Sequence, residues 1–235
     1  MEINIGETHI RLTTDIAHHN LKGHIVELRS DLKTYISHNP DFRISYSPIR
    51  VEDEDMPPIV EMMHESSNLS DVGPMACVAG TISQLSLEYL MDLGSKDSIV
   101  ENGGDIALIN SRTVLCGIYS NNDILGNDIA FRIRPRKNGL GICTSSGKVG
   151  HSVSFGSSDS VTVIASSASL ADGLATRIAN EVKGQKSEDR VVNASEIAEN
   201  YRQHFDGVLI ICDENVATVG RLPRIVETRE FDFNI

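Results

Sequence analysis

Seven short apolar segments between residues 98 and 165 constrain the fold more than any other part of this 235-residue chain. They are rich in β-branched residues, and polar or glycine-rich turns separate them, which is the pattern of strands. The segments are Ser98–Glu101, Ile106–Ile109, Thr113–Tyr119, Ile129–Arg134, Gly141–Thr144, Ser152–Phe155 and Ser160–Ala165. Because these strands cluster and do not alternate strictly with helices, we expect an α+β fold with a mostly antiparallel sheet flanked by helices.

Apolar residues at helical spacing predict helices before and after this strand cluster. The predicted helices are His24–Ser37, Pro57–Asn68, Pro74–Leu93, Leu170–Val182 and Ala194–His204. Alternating apolar residues predict further strands. They are residues 2–14, as a strand or a hairpin, and the strands Phe42–Tyr46, Val208–Cys212, Val216–Val219 and Ile225–Phe231. The charged segment Lys183–Arg190 is expected to be a loop.

The composition excludes several classes of protein. A formal net charge of −12 argues against binding of nucleic acid or an anionic membrane, because neutralising phosphates requires a basic surface. No apolar run reaches the ~20 residues of a membrane helix, and the N-terminus lacks the basic start and apolar core of a signal peptide. We therefore expect a cytoplasmic protein with buried, reduced thiols. A homodimer is the default expectation for a protein of this kind.

The third predicted helix carries a stripe of small residues, Ala76, Ala79, Gly80 and Ser83. Small residues on a helix face allow close packing of a neighbour. The pattern leaves open whether that neighbour is another helix or a bound ligand.

Glu101–Asp105 contains two adjacent glycines, Gly103 and Gly104, between two predicted strands. One interpretation is a hairpin turn, since Asn-Gly and Gly-Asp are favourable turn dipeptides. The other is close approach of a ligand to a backbone that lacks side chains.

The segment Ser169–Thr176 places Asp172 and Thr176 four residues apart, on one face of a predicted helix. A carboxylate and a hydroxyl are hard oxygen ligands of the kind that Mg²⁺ accepts. The structural alternative is a capping box, in which Ser169 is the N-cap and Asp172 the third helical residue. Gly173 weakens that alternative, because glycine inside a helix costs close to 1 kcal/mol relative to alanine.

The loop Cys143–Ser152 is rich in hydroxyl groups and glycine, and it carries one lysine and one histidine. Such a loop can present hydroxyl and backbone N–H groups to an anion. His151 is a candidate general base or phosphate contact, although a lone histidine is also common as a structural residue.

These segments together resemble the ApbE family of Mg²⁺-dependent FAD:protein FMN transferases, over about residues 71–180. The chain as a whole, over about residues 1–220, is more similar to a shorter ApbE-like group found in archaea and anaerobic bacteria. The segments that carry the resemblance are Val72–Ala76, Val100–Asp105, Thr144–Gly147, Gly150–Ser152 and Ala171–Thr176. The resemblance implies a single ApbE-like, T-fold-related domain over residues 1–235. Its parts are an N-terminal portion (1–70), a core with the motifs (71–182) and a C-terminal portion (183–235).

The resemblance also implies a site for FAD or FMN. Mg²⁺ is expected on Asp172, Thr176 and the backbone carbonyl of Ala76, and His151 or Asp105 is expected to assist proton transfer. The implied nucleotide-binding residues are Ala76, Cys77, Gly80, Asn102, Gly103, Gly104, Asp105, Thr144, Ser145, Ser146, Gly147 and His151. The implied reaction transfers FMN to a threonine or serine of an acceptor protein.

Two departures from the family motifs keep two alternatives open. The family's lysine is Cys77 here, and its histidine-containing motif is reduced to His151. One alternative is a non-catalytic ligand-binding or assembly protein that kept the fold. The other is sulfur or redox chemistry at Cys77, which requires an accessible thiolate of lowered pKa.

Overall fold

The computed structural model describes residues 1–51, 55–118, 128–146 and 158–229. The helices are α1 (Leu21–His38), α2 (Asp41–Ile44), α3 (Pro58–Ser70), α4 (Val78–Asp92), α5 (Ala168–Ala179) and α6 (Ser187–Asn200), and 3-10 turns span Pro74–Cys77 and Arg202–His204. The strands are β1 (Glu2–Ile5), β2 (Thr8–Thr14), β3 (Ser98–Asn102), β4 (Asp105–Asn110), β5 (Val114–Gly117), β6 (Ile129–Ile133), β7 (Arg136–Ser145), β8 (Ser160–Ala165), β9 (Gly207–Cys212), β10 (Asn215–Gly220) and β11 (Arg224–Glu227).

Eight of these strands form one large sheet in the order β1-β2-β3-β4-β7-β8-β9-β10. Every neighbouring pair in it is antiparallel. The remaining strands form a smaller antiparallel sheet in the order β11-β6-β5. The expected mostly antiparallel sheet is therefore confirmed.

The large sheet is buried on both faces, because successive side chains of a strand point to opposite sides. Val161 and Val163 of β8 belong to a core shared with the helices. Ile164 belongs to a second core, which includes Phe131 of the smaller sheet. The helices therefore cover one face of the large sheet and the small sheet covers the other, as an α+β fold with flanking helices requires.

Helices pack very closely at two glycines: α4 meets α5 at Gly80, and α5 meets α3 at Gly173. A Cβ atom on Gly80 would lie 2.3 Å from the Ala168 carbonyl oxygen, and one on Gly173 would lie 2.4 Å from Ser70 Oγ. Both distances are too short for a side chain. The stripe of small residues is therefore used, at Gly80, for helix packing.

The predicted strand Phe42–Tyr46 is wrong, because Asp41–Ile44 form the short helix α2. Only Phe42 is buried, packed edge-on against Tyr35, whereas Ile44 and Tyr46 are 67% and 68% exposed. The alternation in sequence thus does not correspond to one buried face. Pro40 precedes the helix in an α conformation, and its carbonyl accepts the Arg43 N–H.

The predicted loop Lys183–Arg190 is wrong at its C-terminal end, where α6 begins at Ser187. Glu188 and Asp189 occupy the first turn, where negative charge interacts favourably with the positive end of the helix dipole. The buried side chain of Val191 anchors the next turn. Half of the charged segment Lys183–Arg190 is therefore helical, although its composition is typical of a solvated loop.

The remaining boundaries agree with the predictions to within a few residues, with β7 longer than expected. The predicted strand Ser152–Phe155 and the end of the last predicted strand lie outside the described residues. No described helix combines the length and apolar character that crossing a bilayer requires. The division into one domain of three portions stays a prediction.

We expect Gly80→Ala to lower the free energy of unfolding by about 1–3 kcal/mol, because the new methyl group overpacks the α4–α5 contact. Gly139→Ala is the matched control, since a Cβ atom there would meet Leu87 Cδ2 at an ordinary 3.6 Å. Urea denaturation measures both. Equal stability of the two variants would contradict the close packing.

Candidate functional site

The motif residues converge at one end of the large sheet. The β3–β4 turn lies there, because Asn102 pairs with Asp105 across it. Pairing of Ile106 with Ile142 brings the end of β7 to the same place. The N-terminal parts of α4 and α5 pack over this region, as the Gly80–Ala168 contact records. We call this region, between the β3–β4 turn, the end of β7 and the starts of α4 and α5, the cleft.

Asp172 of α5 stabilises the N-terminus of a different helix, α4. Its Oδ2 atom accepts the Gly80 N–H at 2.8 Å, and its carboxylate also accepts the Ala79 N–H. First-turn N–H groups have no partner inside their own helix, and Cys77, the N-cap of α4, makes no side-chain capping bond. Asp172 therefore caps α4 from the neighbouring helix.

The predicted capping box within α5 is wrong. The N-cap is Ser167, which makes no side-chain capping bond. The Ser169 hydroxyl instead contacts the Thr81 hydroxyl at 2.6 Å and donates to Ser66 Oγ at 2.7 Å. Ser169 thus joins α5 to α3 and α4, which leaves Asp172 free of a role within its own helix.

Asp105 is the second carboxyl group of the cleft and is buried. Burial raises its pKa well above the usual value, and the charge of Asp172 raises it further. Hydrogen bonds from the Cys143 thiol and the Thr144 N–H act in the opposite direction. Burial also raises the pKa of Asp172 to about 7, against the bonds from Gly80 and Ala79. We therefore expect this carboxyl pair to keep a proton at neutral pH.

The glycine pair is a hairpin turn. Gly103 and Gly104 have φ values of +63° and +100°, a region that side chains disfavour. Nothing lies within 4 Å of where their Cβ atoms would be. Asn102 connects the turn to its surroundings, since its Nδ2 donates to the Ala79 carbonyl at 3.3 Å and its Oδ1 accepts the His9 N–H at 3.2 Å. Backbone geometry therefore explains the glycines, and the space above them is open.

The other predicted ligand-binding residues fall into three groups. Thr144 shares a hydrogen bond of 2.9 Å with the Thr162 hydroxyl, so it ties β7 to β8. Ser145, Ser146, Ala76 and Thr176 are half-buried. Gly147 and His151 lie outside the described residues.

The donors expected for Mg²⁺ are the Asp172 carboxylate, the Thr176 hydroxyl and the Ala76 carbonyl. Among the described residues, no three or more His, Cys, Asp or Glu side chains form a metal-binding group. Mg²⁺ does not need such a group, because it is commonly held by one or two carboxylates together with substrate phosphates and water. The chemistry of these oxygen donors fits that pattern, and Asp105 is close enough for the charge of Asp172 to raise its pKa.

Cys77 is completely buried, and burial raises the pKa of its thiol well above the usual value, with Asp172 adding to the effect. Its sulfur would lie 2.8 Å from a Cβ atom on Gly173, so it fills the space beside α5. These properties are the opposite of the accessible, low-pKa thiol that redox or sulfur chemistry requires.

Arg177 is not among the site residues that the sequence predicts. Its Nε lies 3.6 Å from Asp71 Oδ2, and its Nη1 donates to Glu181 at 2.7 Å. Asp71 ends α3 in a left-handed conformation, φ +55°, directly before the segment that carries Ala76 and Cys77. Arg177 therefore holds the start of this segment against α5. The four-residue spacing to Glu181 was the available signal.

We expect Asp172→Asn to change how stability depends on pH. The folded-state pKa of Asp172 is raised from 3.8 to about 7, so its stabilising contribution is complete below the unfolded pKa and is lost as the pH rises through about 7. Relative to Asp172→Asn, the wild type should lose on the order of a few kcal/mol between about pH 4 and about pH 8. Urea denaturation across this range measures it.

Asp15→Asn is the control of opposite sign. A hydrogen bond from the Ser95 hydroxyl lowers the pKa of Asp15, so its contribution is present above the unfolded pKa and is lost as the pH falls. Parallel pH profiles of the wild type and Asp172→Asn would contradict the assignment.

We expect the Cys77 thiol to resist alkylation by iodoacetamide at neutral pH in the native protein and to react after denaturation in urea, as mass spectrometry of the Cys77 peptide can measure. All four cysteines are buried. An exposed cysteine introduced at Asp31 serves as the positive control, since this position is exposed on α1. Rapid labelling of Cys77 in the native protein would instead support the hypothesis of sulfur or redox chemistry at this residue.

Comparison with known proteins agrees with the motifs. A family model described as AbpE bacteria matches residues 1–206. The UPF0280 protein of Methanobrevibacter smithii is 56% identical over 230 residues, which cover 98% of this chain and 97% of that protein. The UPF0280 protein of Methanothermobacter thermautotrophicus is 50% identical over 226 residues, covering 96% and 87% of the two chains.

Two solved structures share the fold at low sequence identity. The apo form of Pseudomonas stutzeri flavinyl transferase ApbE has a TM-score of 0.61 at 14% identity, covering 93% of this chain and 92% of its own. The ApbE protein of Thermotoga maritima has a TM-score of 0.53 at 13% identity, covering 97% and 96%. The chain therefore belongs to the ApbE-like superfamily and, within it, to the family of the UPF0280 proteins.

Proposed function

We propose that the chain binds FAD together with Mg²⁺ in the cleft and transfers FMN to a threonine or serine hydroxyl of an acceptor protein. The observation that carries the proposal is the convergence of Asp105 and Asp172 at the cleft, from two motifs that are distant in sequence. Asp105 is buried and Asp172 is half-buried. The negative charge of one carboxylate destabilises that of its neighbour, and a divalent cation relieves that repulsion. A site of this kind is suited to a cation and a polyphosphate.

The metal donors in this proposal are Asp172, Thr176 and the Ala76 carbonyl. When bound, Mg²⁺ would supply neutralisation of the pyrophosphate charge. Asp172 already lies at the start of α4, where its bonds from Ala79 and Gly80 fix the orientation of the carboxylate. Asp172 is therefore a preorganised metal donor on a rigid helix, as a precise binding site requires.

Asp105 is the proposed proton acceptor, with His151 as the other candidate. In the reaction, the acceptor hydroxyl oxygen forms a bond to the FMN phosphorus, the bond from that phosphorus to AMP breaks, and the hydroxyl proton passes to Asp105. Asp105 must be a carboxylate to accept this proton, and a divalent cation bound in the cleft would favour that form of a carboxyl group whose pKa is raised by burial and by the charge of Asp172. The open space at Gly103 and Gly104 gives a ligand access to the turn beside Asp105.

A second candidate is a non-catalytic protein that binds the same class of nucleotide. Cys77 stands where the family's lysine is expected, and it is buried as a packing residue. A positive charge near the nucleotide is therefore lost at this position, and transfer chemistry depends on such charges more than binding does. Under this second candidate function, the protein binds the nucleotide but does not transfer FMN.

We expect FAD with Mg²⁺ to raise the melting temperature of the wild type, since a ligand at a hundred times its dissociation constant adds about 2.7 kcal/mol of stability. A threonine-bearing acceptor peptide should then yield AMP, measured by chromatography. Thr176→Ala should weaken the thermal shift and reduce AMP release, because it removes one donor. Asp92→Ala is the matched control, since Asp92 is exposed at the opposite end of α4.

The outcomes separate the two candidates. A thermal shift that requires Mg²⁺, without AMP release, would favour the non-catalytic protein. No thermal shift and no FAD binding by calorimetry would overturn both. Asp172→Ala is less decisive, because it also removes the cap of α4.

A further inference from the structure

Basic side chains are concentrated on the small sheet, although the chain has 33 acidic residues and only 21 lysines and arginines. Four of the six residues from Arg132 to Lys137 are basic. Phe131 and Ile133 of β6 belong to the core against the large sheet, so the side chain of Arg132 points to the outer face of the small sheet. Arg134 follows two residues later, and both arginines are exposed. The small sheet therefore places positive charge on its outer face.

Arg132 lies directly opposite a second arginine. Its register partner in β11 is Arg224, which is also exposed. The side chains of such a pair lie on one face with their Cβ atoms about 4.5–5.5 Å apart, and like charges at this separation destabilise a sheet. Among the described residues, no carboxylate forms an ion pair with Arg132, Arg134 or Arg224. The repulsion between the two opposed arginines is therefore uncompensated in this part of the molecule.

Protection of the sheet edge does not explain this pair of arginines. Charge on an edge strand commonly prevents association with other strands, and β11 is an edge of the small sheet. Arg132, however, lies on β6, which is the central strand and has no free edge to protect. Its register partner on the other side is Leu115 of β5, which is 50% exposed. A row across the outer face therefore runs from Arg224 through Arg132 to an exposed leucine.

Buried Asn110 fixes the backbone beside this row. Its Nδ2 atom donates to the Arg134 carbonyl oxygen at 3.1 Å. The neighbouring Arg136 is already paired, since its Nη2 lies 3.2 Å from Asp206 Oδ2. The unpaired arginines and the leucine beside them form a surface that we call the arginine face, which consists of Leu115, Arg132, Arg134 and Arg224. Its backbone is held in place before any ligand binds, which lowers the entropic cost of binding.

The chemistry of the arginine face favours a protein segment over other anions. A guanidinium group binds a carboxylate through two parallel hydrogen bonds, and Leu115 offers an apolar contact in the same row. Nucleic acids and anionic membranes are extended polyanions, and much of their charge would meet the acidic remainder of a chain whose formal net charge is −12. A short acidic segment needs to contact only the arginine face.

We propose that the arginine face docks an acidic segment of a partner protein. Carboxylates of the segment bind Arg132 and Arg224 and offset the repulsion between them, while an apolar side chain of the segment contacts Leu115. Arg134 precedes the 10-residue strand β7, and the cleft lies at the other end of this strand, about 30 Å away. The docked segment therefore leaves the cleft open.

Fluorescence anisotropy of a labelled peptide of glutamates and leucines, titrated with the full chain, tests the docking. The wild type should bind the peptide, and Arg132→Gln/Arg224→Gln should bind it about tenfold or more weakly, because two charge-assisted contacts are lost. Lys22→Gln/Arg43→Gln is the matched control, since it changes the net charge equally by removing exposed cations of α1 and α2. No binding by the wild type, or equal weakening in the two variants, would overturn the proposal.

A melting curve of Arg132→Gln/Arg224→Gln separates docking from folding. Removal of like charges at opposed positions should leave the melting temperature unchanged or raise it. A lower melting temperature would show that the two arginines stabilise the sheet, and it would overturn their assignment to a partner.

The other possible occupants of the arginine face give different outcomes. A single-stranded oligonucleotide and vesicles containing phosphatidylserine should bind more weakly than the peptide. Equal or tighter binding of either one, lost in Arg132→Gln/Arg224→Gln, would overturn the choice of an acidic protein segment. Sedimentation equilibrium tests the second copy: self-association of the wild type that Arg132→Gln/Arg224→Gln abolishes would assign the face to another copy of the chain instead.

Discussion

The hydrogen bonds from the start of α4 to the Asp172 carboxylate are the interaction on which the cleft depends. They join two helices through groups that would otherwise lack partners. They form only because α4 and α5 lie very close, which the absence of a side chain at Gly80 allows. The same contact directs a carboxylate towards the end of the sheet, where Asp105 is buried. Asp172 therefore both joins the two helices and belongs to the candidate site.

This arrangement has an electrostatic cost. Burial and the charge of Asp172 both raise the pKa of Asp105, and strongly perturbed groups of this kind concentrate at functional sites. A purely structural cap for α4 would not need Asp105 beside it. A cation bound in the cleft, as we propose, would offset this cost, and for this reason we favour ligand binding over a wholly structural role.

Cys77 illustrates how a departure from a family motif acquires a physical meaning. In sequence it marks a missing positive charge. In the structure it is a small apolar group against Gly173, and the Arg177–Asp71 ion pair holds the segment that carries it. A lysine at this position would need a different route to solvent. The substitution therefore belongs to the tight packing of α3, α4 and α5, which no local pattern reveals.

Local patterns predicted most of the secondary structure, and they failed where burial decided the outcome. The alternation at Phe42–Tyr46 suggested a strand, but only Phe42 is buried and the backbone is helical. The spacing from Ser169 to Asp172 suggested a capping box, but tertiary contacts gave each side chain a partner on another helix. The glycine pair could be read correctly as a turn, since Asn-Gly and Gly-Asp are local signals.

The sequence by itself determined most of the strands and helices, the antiparallel fold class and the family, because each is encoded in short-range periodicity or in motifs. Through the family resemblance it also placed Asp105 and Asp172 in one expected site. Only the tertiary structure decided that the charge of Asp172 acts on a buried Asp105, that Asp172 caps α4, and that Cys77 packs against Gly173. The physical reason is that charge coupling, close helix packing and strand order depend on distances between residues far apart in the chain, which no local pattern specifies.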